Sequence, residues 1–322
     1  MPNYQGVWSL TVQMQNRTDW PTFDGTRGLF AGGSTGSLSN VIEFVVISTE
    51  GDATDFGDLS GSGAVSGASF SSTTRGVFAG GYTTTAVNEI QYVTIATEGN
   101  TSDFGDLSDV RKNLTGLSNA TRGVTGGGGS NSTDYLNIMD YVTIASTGNA
   151  TDFGDLTVAR FSPTSFQSTT RGVFAGGEPS SGGGSNVMDY ITISSTGNAT
   201  DFGDLEAILV SATGVSNNTR GVVGSGWRAN AAYTNVMQYV TIASTGNTTD
   251  FGDLNNAYGY GQGAAANTTR GLFAGGINDS GRLNVIDFIT IASTGNATDF
   301  GNLTVARSQL FSGMVGSGHG GI

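Results

Sequence analysis

Residues 73–81 read TTRGVFAGG, and the same nine residues recur at 169–177. A Thr-Arg-Gly triplet occurs six times, with its arginine at Arg27, Arg75, Arg122, Arg171, Arg220 and Arg270. Each triplet is followed by a short run that ends in glycine, and later by an Asp-Phe-Gly-Asp/Asn-Leu box that begins at Asp55, Asp103, Asp152, Asp201, Asp250 or Asp299. Both markers repeat every 47 to 50 residues. Such a period indicates one supersecondary unit copied six times.

The repeat at residues 157–205 predicts four short strands. Its order is a segment of small residues (157–168), the strand that begins at Arg171, the β-branched and aromatic run NVMDYITIS (186–194), and the DFGDL box (201–205). Turn residues separate these segments, and each segment is too short for a helix. Four antiparallel strands in about 49 residues are typical of a β-propeller blade. The sequence therefore predicts an all-β fold.

The size of the side chains changes along each repeat. The first strand carries small residues, as in SGAS at 66–69, LTGL at 114–117, SATGVS at 211–216 and GQGAAA at 261–266. The third and fourth strands carry tyrosine, phenylalanine, isoleucine and leucine. Because the innermost strands of a propeller crowd around the axis, this gradient favours a propeller over a right-handed β-solenoid.

The repeat resembles the kelch repeat. Kelch blades have an arginine before the first strand, a Gly-Gly pair after the second, an aromatic residue in the third and an aromatic-x-x-Leu pattern in the fourth. One copy has these features at Arg160, Gly176-Gly177, Tyr190 and Phe202 to Leu205, with phenylalanine where kelch repeats usually have tryptophan. The resemblance covers nearly the whole chain, and it implies a kelch-like propeller fold without implying a function.

The two ends of the chain decide how the ring closes. The C-terminal segment after Leu303 parallels the first strand of a repeat and ends where the next triplet would fall. We expect residues 308–317 to supply the first strand of the blade that begins at Arg27, which gives six blades. Seven blades, with one built from residues 1–25 and the C-terminus, stay open as an alternative. This divides the chain into an N-terminal arm at 1–26 and a propeller at 27–322.

Composition narrows the classes of partner. The 26 acidic and 13 basic residues give a net charge of −13, which opposes binding to nucleic acid or anionic lipid. The N-terminus has no pattern of a signal peptide, and no apolar run is long enough for a spanning helix. We therefore expect neither nucleic-acid binding nor membrane insertion.

The N-terminal arm carries large apolar residues. Trp8, Leu10 and Trp20 stand among polar residues in a segment that does not fit the repeat, so the arm either caps a blade or docks into a larger assembly. Together with the six second strands, GVWSL at 6–10 and Trp20-Pro21 resemble kelch-like structural proteins of tailed bacteriophages, especially marine and cyanobacterial ones. This resemblance implies a virion protein that is assembled in the host cytoplasm. Its arm would contact other virion proteins, and a homo-oligomer stays open.

Few residues suit catalysis. The chain has no cysteine, and His319 is its only histidine, so neither a histidine-based triad nor a zinc site of cysteines and histidines is expected. Calcium at the Asn/Asp turns is disfavoured because no D-x-D-x-D-G loop is present. We expect no enzyme activity, metal or cofactor. For the six triplet arginines and six box aspartates we expect structural roles, as inter-blade hydrogen bonds or Arg–Asp pairs.

The six copies differ mainly in two sets of loops. The turns between the first and second strands and between the third and fourth hardly vary, and they share one face, here named the uniform face. The loops between the second and third strands and between consecutive repeats differ throughout, and they share the opposite face, the variable face. Variable loops on a rigid scaffold are typical of a recognition surface, although drift in loops that touch nothing gives the same pattern. We select the following residues there as exposed candidate ligand contacts: Tyr135, Trp227, Arg228, Tyr258, Tyr260 and Arg282.

These observations lead to three functional hypotheses. The first is a tail-fibre or appendage protein that binds a glycan or protein on the host surface. The second is a structural capsid or collar decoration without a receptor. The third is a glycan-active enzyme, which needs carboxylates that converge at the channel mouth.

Overall fold

Each repeat folds into a sheet that is buried on its inner side and partly exposed on its outer side. In the blade that starts at Thr164, the inner strand is buried throughout, and the second strand is buried after its first residue, Arg171. In the third and outer strands, buried residues are interspersed with half-buried and exposed ones. Because strands buried on both faces must lie between other elements, the inner strands form the centre of the molecule.

The sheets are the six blades of a β-propeller, as the sequence predicts. The computed structural model describes residues 26–132, 135–228, 233–319 and 321–322. From its second strand outward, blade 1 consists of Arg27–Ala31, Val41–Val46 and Thr54–Asp58. From the inner strand outward, blades 2 to 4 consist of Ala68–Ser71, Arg75–Ala79, Val87–Thr94 and Ser102–Arg111; Thr115–Ser118, Arg122–Gly126, Ile138–Thr143 and Thr151–Asp155; and Thr164–Gln167, Arg171–Ala175, Ser185–Thr192 and Thr200–Leu209.

Blades 5 and 6 and two short loop pairs complete the strands. Blade 5 consists of Thr213–Ser216, Arg220–Gly224, Thr234–Thr241 and Thr249–Tyr258, and blade 6 of Gly263–Ala266, Arg270–Ala274, Val285–Thr290 and Thr298–Asn302. Two-residue strands pair Arg160–Phe161 with Glu178–Pro179, and Ile277–Asn278 with Gly281–Arg282. In the part of the chain that the structure describes, no helix has the length and apolar character needed to cross a membrane.

The C-terminal segment closes the ring in blade 1. Gly316 pairs with Gly28, and Ser308 pairs with Ser34, both antiparallel. The Leu29 N–H also donates to the Val315 carbonyl oxygen at 3.0 Å. The prediction of closure by residues 308–317 is confirmed, and the seven-blade alternative is wrong because this segment serves as the inner strand of blade 1. The predicted arm, with Trp8, Leu10 and Trp20, lies outside the described residues except for Thr26.

The triplet arginines join each blade to the next. Each guanidinium lies 4.3 to 4.5 Å from the centre of the third-strand aromatic ring of its own blade. Each also donates to a carbonyl oxygen just after the third strand of the following blade, as Arg171 does to Ile242 at 2.9 Å. The expected inter-blade hydrogen bonds are confirmed. Among the described residues, two of these arginines form ion pairs with glutamates, Arg27 with Glu98 and Arg270 with Glu50. The alternative of ion pairs with the box aspartates is therefore wrong for these arginines.

The glycine of each Asp-Phe-Gly box allows a turn of the next blade to approach. A Cβ on Gly203 would lie 2.5 Å from the carbonyl oxygen of Gly246, which belongs to the turn between the third and fourth strands of blade 5. The Asn247 side chain of that turn accepts a hydrogen bond from the Asp204 N–H at 3.0 Å. Equivalent contacts recur between the other blades. The turns that recur on the uniform face therefore hold the blades together.

Candidate functional site

Six backbone bends surround the propeller axis on the variable face. They lie just before the inner strands, have φ between +51° and +57°, and are here named the mouth ring: Ser66, Asn113, Ser162, Ser211, Gly261 and Gln309. Backbone hydrogen bonds run from blade to blade along the ring, as from the Ser66 N–H to the Gln309 carbonyl oxygen at 2.9 Å and from the Asn113 N–H to the Ser66 carbonyl oxygen at 2.7 Å. The ring therefore forms a rigid rim around the axis.

A pocket opens inside the mouth ring. All six ring residues line it, together with Leu114, Pro163, Ala212, Tyr260, Gln262, Leu310 and Ser312. Its narrow interior is about 40 Å³, and the whole void, counting space open to solvent, is about 410 Å³. None of the lining residues is charged. The pocket therefore offers hydroxyl groups, amides and small apolar surfaces at the centre of the variable face.

Aromatic side chains stand around the mouth ring. Tyr135 packs edge-on against Phe161, the neighbour of Ser162, with 6.4 Å between ring centres. Tyr233 packs in the same way against Tyr260, the neighbour of Gly261, at 6.3 Å. We name this set the aromatic collar: Tyr82, Tyr135, Phe161, Trp227, Tyr233 and Tyr260. Tyr82 and Tyr260 are exposed, and the other four are half-buried.

The structure places most of the predicted contact residues beside the mouth ring. Trp227 pairs with Val210, which precedes Ser211, and Arg228 follows it; both are half-buried, as is Tyr135, rather than fully exposed. Arg282 is exposed, and its Nη2 lies 3.3 Å from the Ser34 hydroxyl, which links the loops of blades 6 and 1. These residues and Tyr260 lie on one face, as expected, but adjoin different parts of the ring.

The prediction that Tyr258 is an exposed contact is wrong. Tyr258 ends the outer strand of blade 5, and its side chain is fully buried against blade 6, where its hydroxyl donates to Asp287 Oδ2 at 2.9 Å. Burial raises the pKa of the Tyr258 hydroxyl, and burial also raises the pKa of the Asp287 carboxyl. Tyr258 occupies the position that Arg111 and Arg160 occupy in other repeats, so its role is to hold a buried carboxyl group.

Sequence reasoning did not select Tyr82, Phe161, Tyr233 or Lys112. Tyr82 pairs with Val65, which precedes Ser66, and the Lys112 ammonium lies 5.4 Å from the centre of the Tyr82 ring. The signal that could have identified them is their position in the repeat. The residue just before each mouth-ring residue pairs with, or lies beside, the chain that follows a second strand. Aromatic residues recur at both of these positions.

The opposite end of the axis is closed by the C-terminus. His319 is fully buried there, within hydrogen-bonding distance of the Ser71 carbonyl oxygen (3.2 Å) and the Gln167 side chain (3.2 Å), which belong to blades 2 and 4. Burial lowers the pKa of its imidazole to about 4. Further along the axis, the Ser312 hydroxyl lies 3.0 Å from that of Thr115 in blade 3. The pocket on the variable face is therefore blind.

The arrangement is suited to binding. In the described ranges, no group of three or more His, Cys, Asp or Glu side chains is placed to hold a metal ion. The pocket and collar combine flat aromatic surfaces with neutral hydrogen-bonding groups on a rigid rim. Such surfaces stack on and hydrogen-bond a ligand without covalent chemistry.

No protein-family model matches the chain, and no curated protein sequence matches it.

Proposed function

We propose that this chain is a kelch-like, non-enzymatic virion protein of a tailed bacteriophage that recognises a glycan or protein on the host surface through its variable face. The support for a phage protein is the N-terminal sequence at 6–10 and 20–21 together with the six second strands. The support for recognition is the composition of the variable face.

The distribution of exposed large apolar residues carries this proposal. Among the described residues, six such side chains are exposed: Val46, Tyr82, Val158, Ile208, Tyr260 and Val305. All except Val46 lie in or beside the loops of the variable face. Exposed apolar groups that lie mainly on one face of an otherwise acidic, polar surface favour a contact surface on that face.

The point where the chain enters the propeller supports attachment on one face and recognition on the other. Thr26 lies at the uniform face, where its hydroxyl accepts a hydrogen bond from Asn267 at 3.2 Å and a Cβ on Gly318 would lie 2.2 Å from its methyl group. The arm thus joins the propeller on the side opposite to the variable loops. Attachment through the arm leaves the variable face free for a receptor.

Binding to host cells tests the recognition function. Trp227→Ala with Arg228→Ala should weaken binding about tenfold or more, since removal of interface anchors costs on the order of 1–2 kcal/mol each. Because both residues are half-buried, the exposed Tyr82 and Tyr260 provide a second test in Tyr82→Ala with Tyr260→Ala, which should weaken binding without a change in melting temperature.

Asn247→Ala on the uniform face is the matched control and should leave binding unchanged. Its neighbour Thr248 is not a suitable control, because it is buried and its hydroxyl donates to Gln238 at 2.6 Å. Loss of binding in the control but not in the variable-face variants contradicts the choice of face. Mass spectrometry of virions from the source of this sequence tests the particle location. A virion protein that binds no host component would instead be a structural decoration.

A further inference from the structure

We infer that the mouth ring and its pocket bind one uncharged sugar residue, which lies across the mouth and inserts a hydroxyl or hydroxymethyl group. This inference rests on the proposed recognition function and names the ligand class of its central site. The argument depends on the backbone of the ring, its unused polar groups and the lining of the pocket.

The ring keeps side chains where the rest of the chain uses glycine. Among the described residues with positive φ, 32 are glycines and six are not. Five of those six belong to the mouth ring: Ser66, Asn113, Ser162, Ser211 and Gln309. The left-handed conformation disfavours residues with a Cβ, so a residue that folding alone selected there would be glycine. Side chains retained against this preference mark groups used for another purpose.

Gly261 is the one mouth-ring position with a glycine, because a side chain does not fit there. A Cβ at this position would lie 2.6 Å from the Cα of Gln309. The five other positions of the ring carry polar side chains, and none of them is apolar or charged. The selection is therefore for hydrogen-bonding groups at the rim.

Most of these polar groups have no hydrogen-bond partner among the described residues. Ser162 donates to Asn113 at 3.2 Å, whereas the side chains of Ser66, Ser211 and Gln309 form no hydrogen bond to any described residue. At the other end of the same inner strands, the polar side chains are used. Ser71 donates to the Gly316 carbonyl oxygen at 2.9 Å, and Gln167 contacts His319. The C-terminal segment provides partners for polar side chains at the end of the axis on the uniform face. The polar side chains at the end on the variable face are left open to a ligand.

The lining of the pocket matches a neutral sugar. Hydroxyls and amides serve as donor and acceptor at once, as sugar hydroxyls do, and Tyr260 supplies an exposed ring for the C–H face of a pyranose. No charged residue lines the pocket to neutralise a carboxylate or a phosphate. An interior of about 40 Å³ admits a substituent rather than a whole sugar ring.

Saturation-transfer NMR with single sugars tests the inference. Galactose, glucose, mannose and N-acetylglucosamine are the uncharged probes, and N-acetylneuraminic acid and glucuronic acid are the anionic ones. We expect a signal from at least one uncharged sugar. The variant Ser66→Gly, Ser211→Gly, Gln309→Gly should weaken it about tenfold, since it removes three unpaired polar groups. Its melting temperature should stay equal or rise, because glycine fits the left-handed backbone.

Ser225→Gly is the matched control. Ser225 is the sixth non-glycine residue with positive φ, but it is buried in blade 5 and does not line the pocket, so this variant should keep the full sugar signal. No signal from any uncharged sugar, a signal from the anionic sugars alone, or an unchanged signal in the triple variant overturns the inference. Host-cell binding is measured separately: its absence overturns the recognition function, and the sugar signals still decide this inference.

Discussion

Arg111 and Asp140 form an ion pair closed to solvent, with 2.6 Å between Nη2 and Oδ2. The same two positions hold Arg160 with Asp189 in blade 4 and Arg307 with Glu43 in blade 1, and blade 6 has Tyr258 with Asp287. In blades 2 and 5 the donor position holds Gly63 and Leu209, and the acid is replaced by Gln91 and Gln238. A buried carboxylate is thus kept only where the segment of chain that leads into its blade provides a donor for it, as its desolvation cost requires.

A third position completes this exchange. Thr101 and Thr248 each donate to the glutamine of their own blade at 2.6 Å, and the four blades with an acid have alanine at the equivalent position. The chain therefore contains two alternative solutions to one packing problem, one with a carboxyl group and an arginine or tyrosine donor, the other with a glutamine and a threonine. Their coexistence makes a direct test feasible.

The first prediction exchanges these solutions. Arg111→Leu should lower the free energy of unfolding by about 3–5 kcal/mol, because it leaves the Asp140 carboxylate buried without a cation. Adding Asp140→Gln and Ala150→Thr reproduces the arrangement of blade 5 and should recover most of this loss. Urea denaturation measures both variants. A triple variant no more stable than the single one would show that the neutral arrangement needs the backbone of blade 5.

The second prediction concerns the contact between Gly203 and the next blade. Gly203→Ala should lower the free energy of unfolding by about 3 kcal/mol or more, because φ is +137° and the new Cβ would lie 2.5 Å from the Gly246 oxygen. Gly197→Ala is the control, with φ of +152° and nothing within 4 Å of the new Cβ, so it adds backbone strain alone. Equal losses in the two variants would contradict the role of the contact.

The sequence predicts the fold well because each marker has a local cause. The box glycine is needed where a turn of the next blade approaches, and the triplet arginine reaches the next blade, so both recur with the blade. The expectation that the inner strands carry small side chains holds only for alternate residues of those strands. Phe70 belongs to an inner strand but points between blades, where a Cβ on Gly123 would lie 2.0 Å from its ring.

The candidate site was harder to predict because it depends on the path of the backbone. Ser66 and Ser211 read as the start of small-residue strands, and only their positive φ shows that they form bends at the rim. Tyr258 lies two residues before Tyr260 in the same loop region, yet one is buried and the other exposed. An alignment of the repeats places Tyr258 at the position of Arg111 and Arg160, and the structure shows that all three side chains are buried.

The third prediction concerns ring closure. Deletion of 304–322 should lower the melting temperature by more than about 10 °C, because blade 1 loses its inner strand and the Glu43 carboxylate loses Arg307. Deletion of 318–322 removes His319 but keeps the pairing of Gly316 with Gly28, so its effect should be clearly smaller. Thermal unfolding followed by circular dichroism measures both. A long deletion that melts like the full chain would contradict closure by the C-terminus.

The last prediction concerns pH. Burial lowers the pKa of His319 to about 4, whereas a free imidazole titrates near 6.5, so the unfolded chain takes up a proton more readily between these values. The stability that depends on neutral His319 is therefore complete above about pH 6.5 and falls as the pH falls toward 4. The loss is on the order of 3 kcal/mol and stays constant below that pH. Carboxyl groups titrate in the same range, so the measurement is the difference in unfolding free energy between the wild type and His319→Gln at each pH. This difference should shrink steadily from pH 7 to pH 4. A difference that is the same at both ends would show that His319 is not held neutral at the axis.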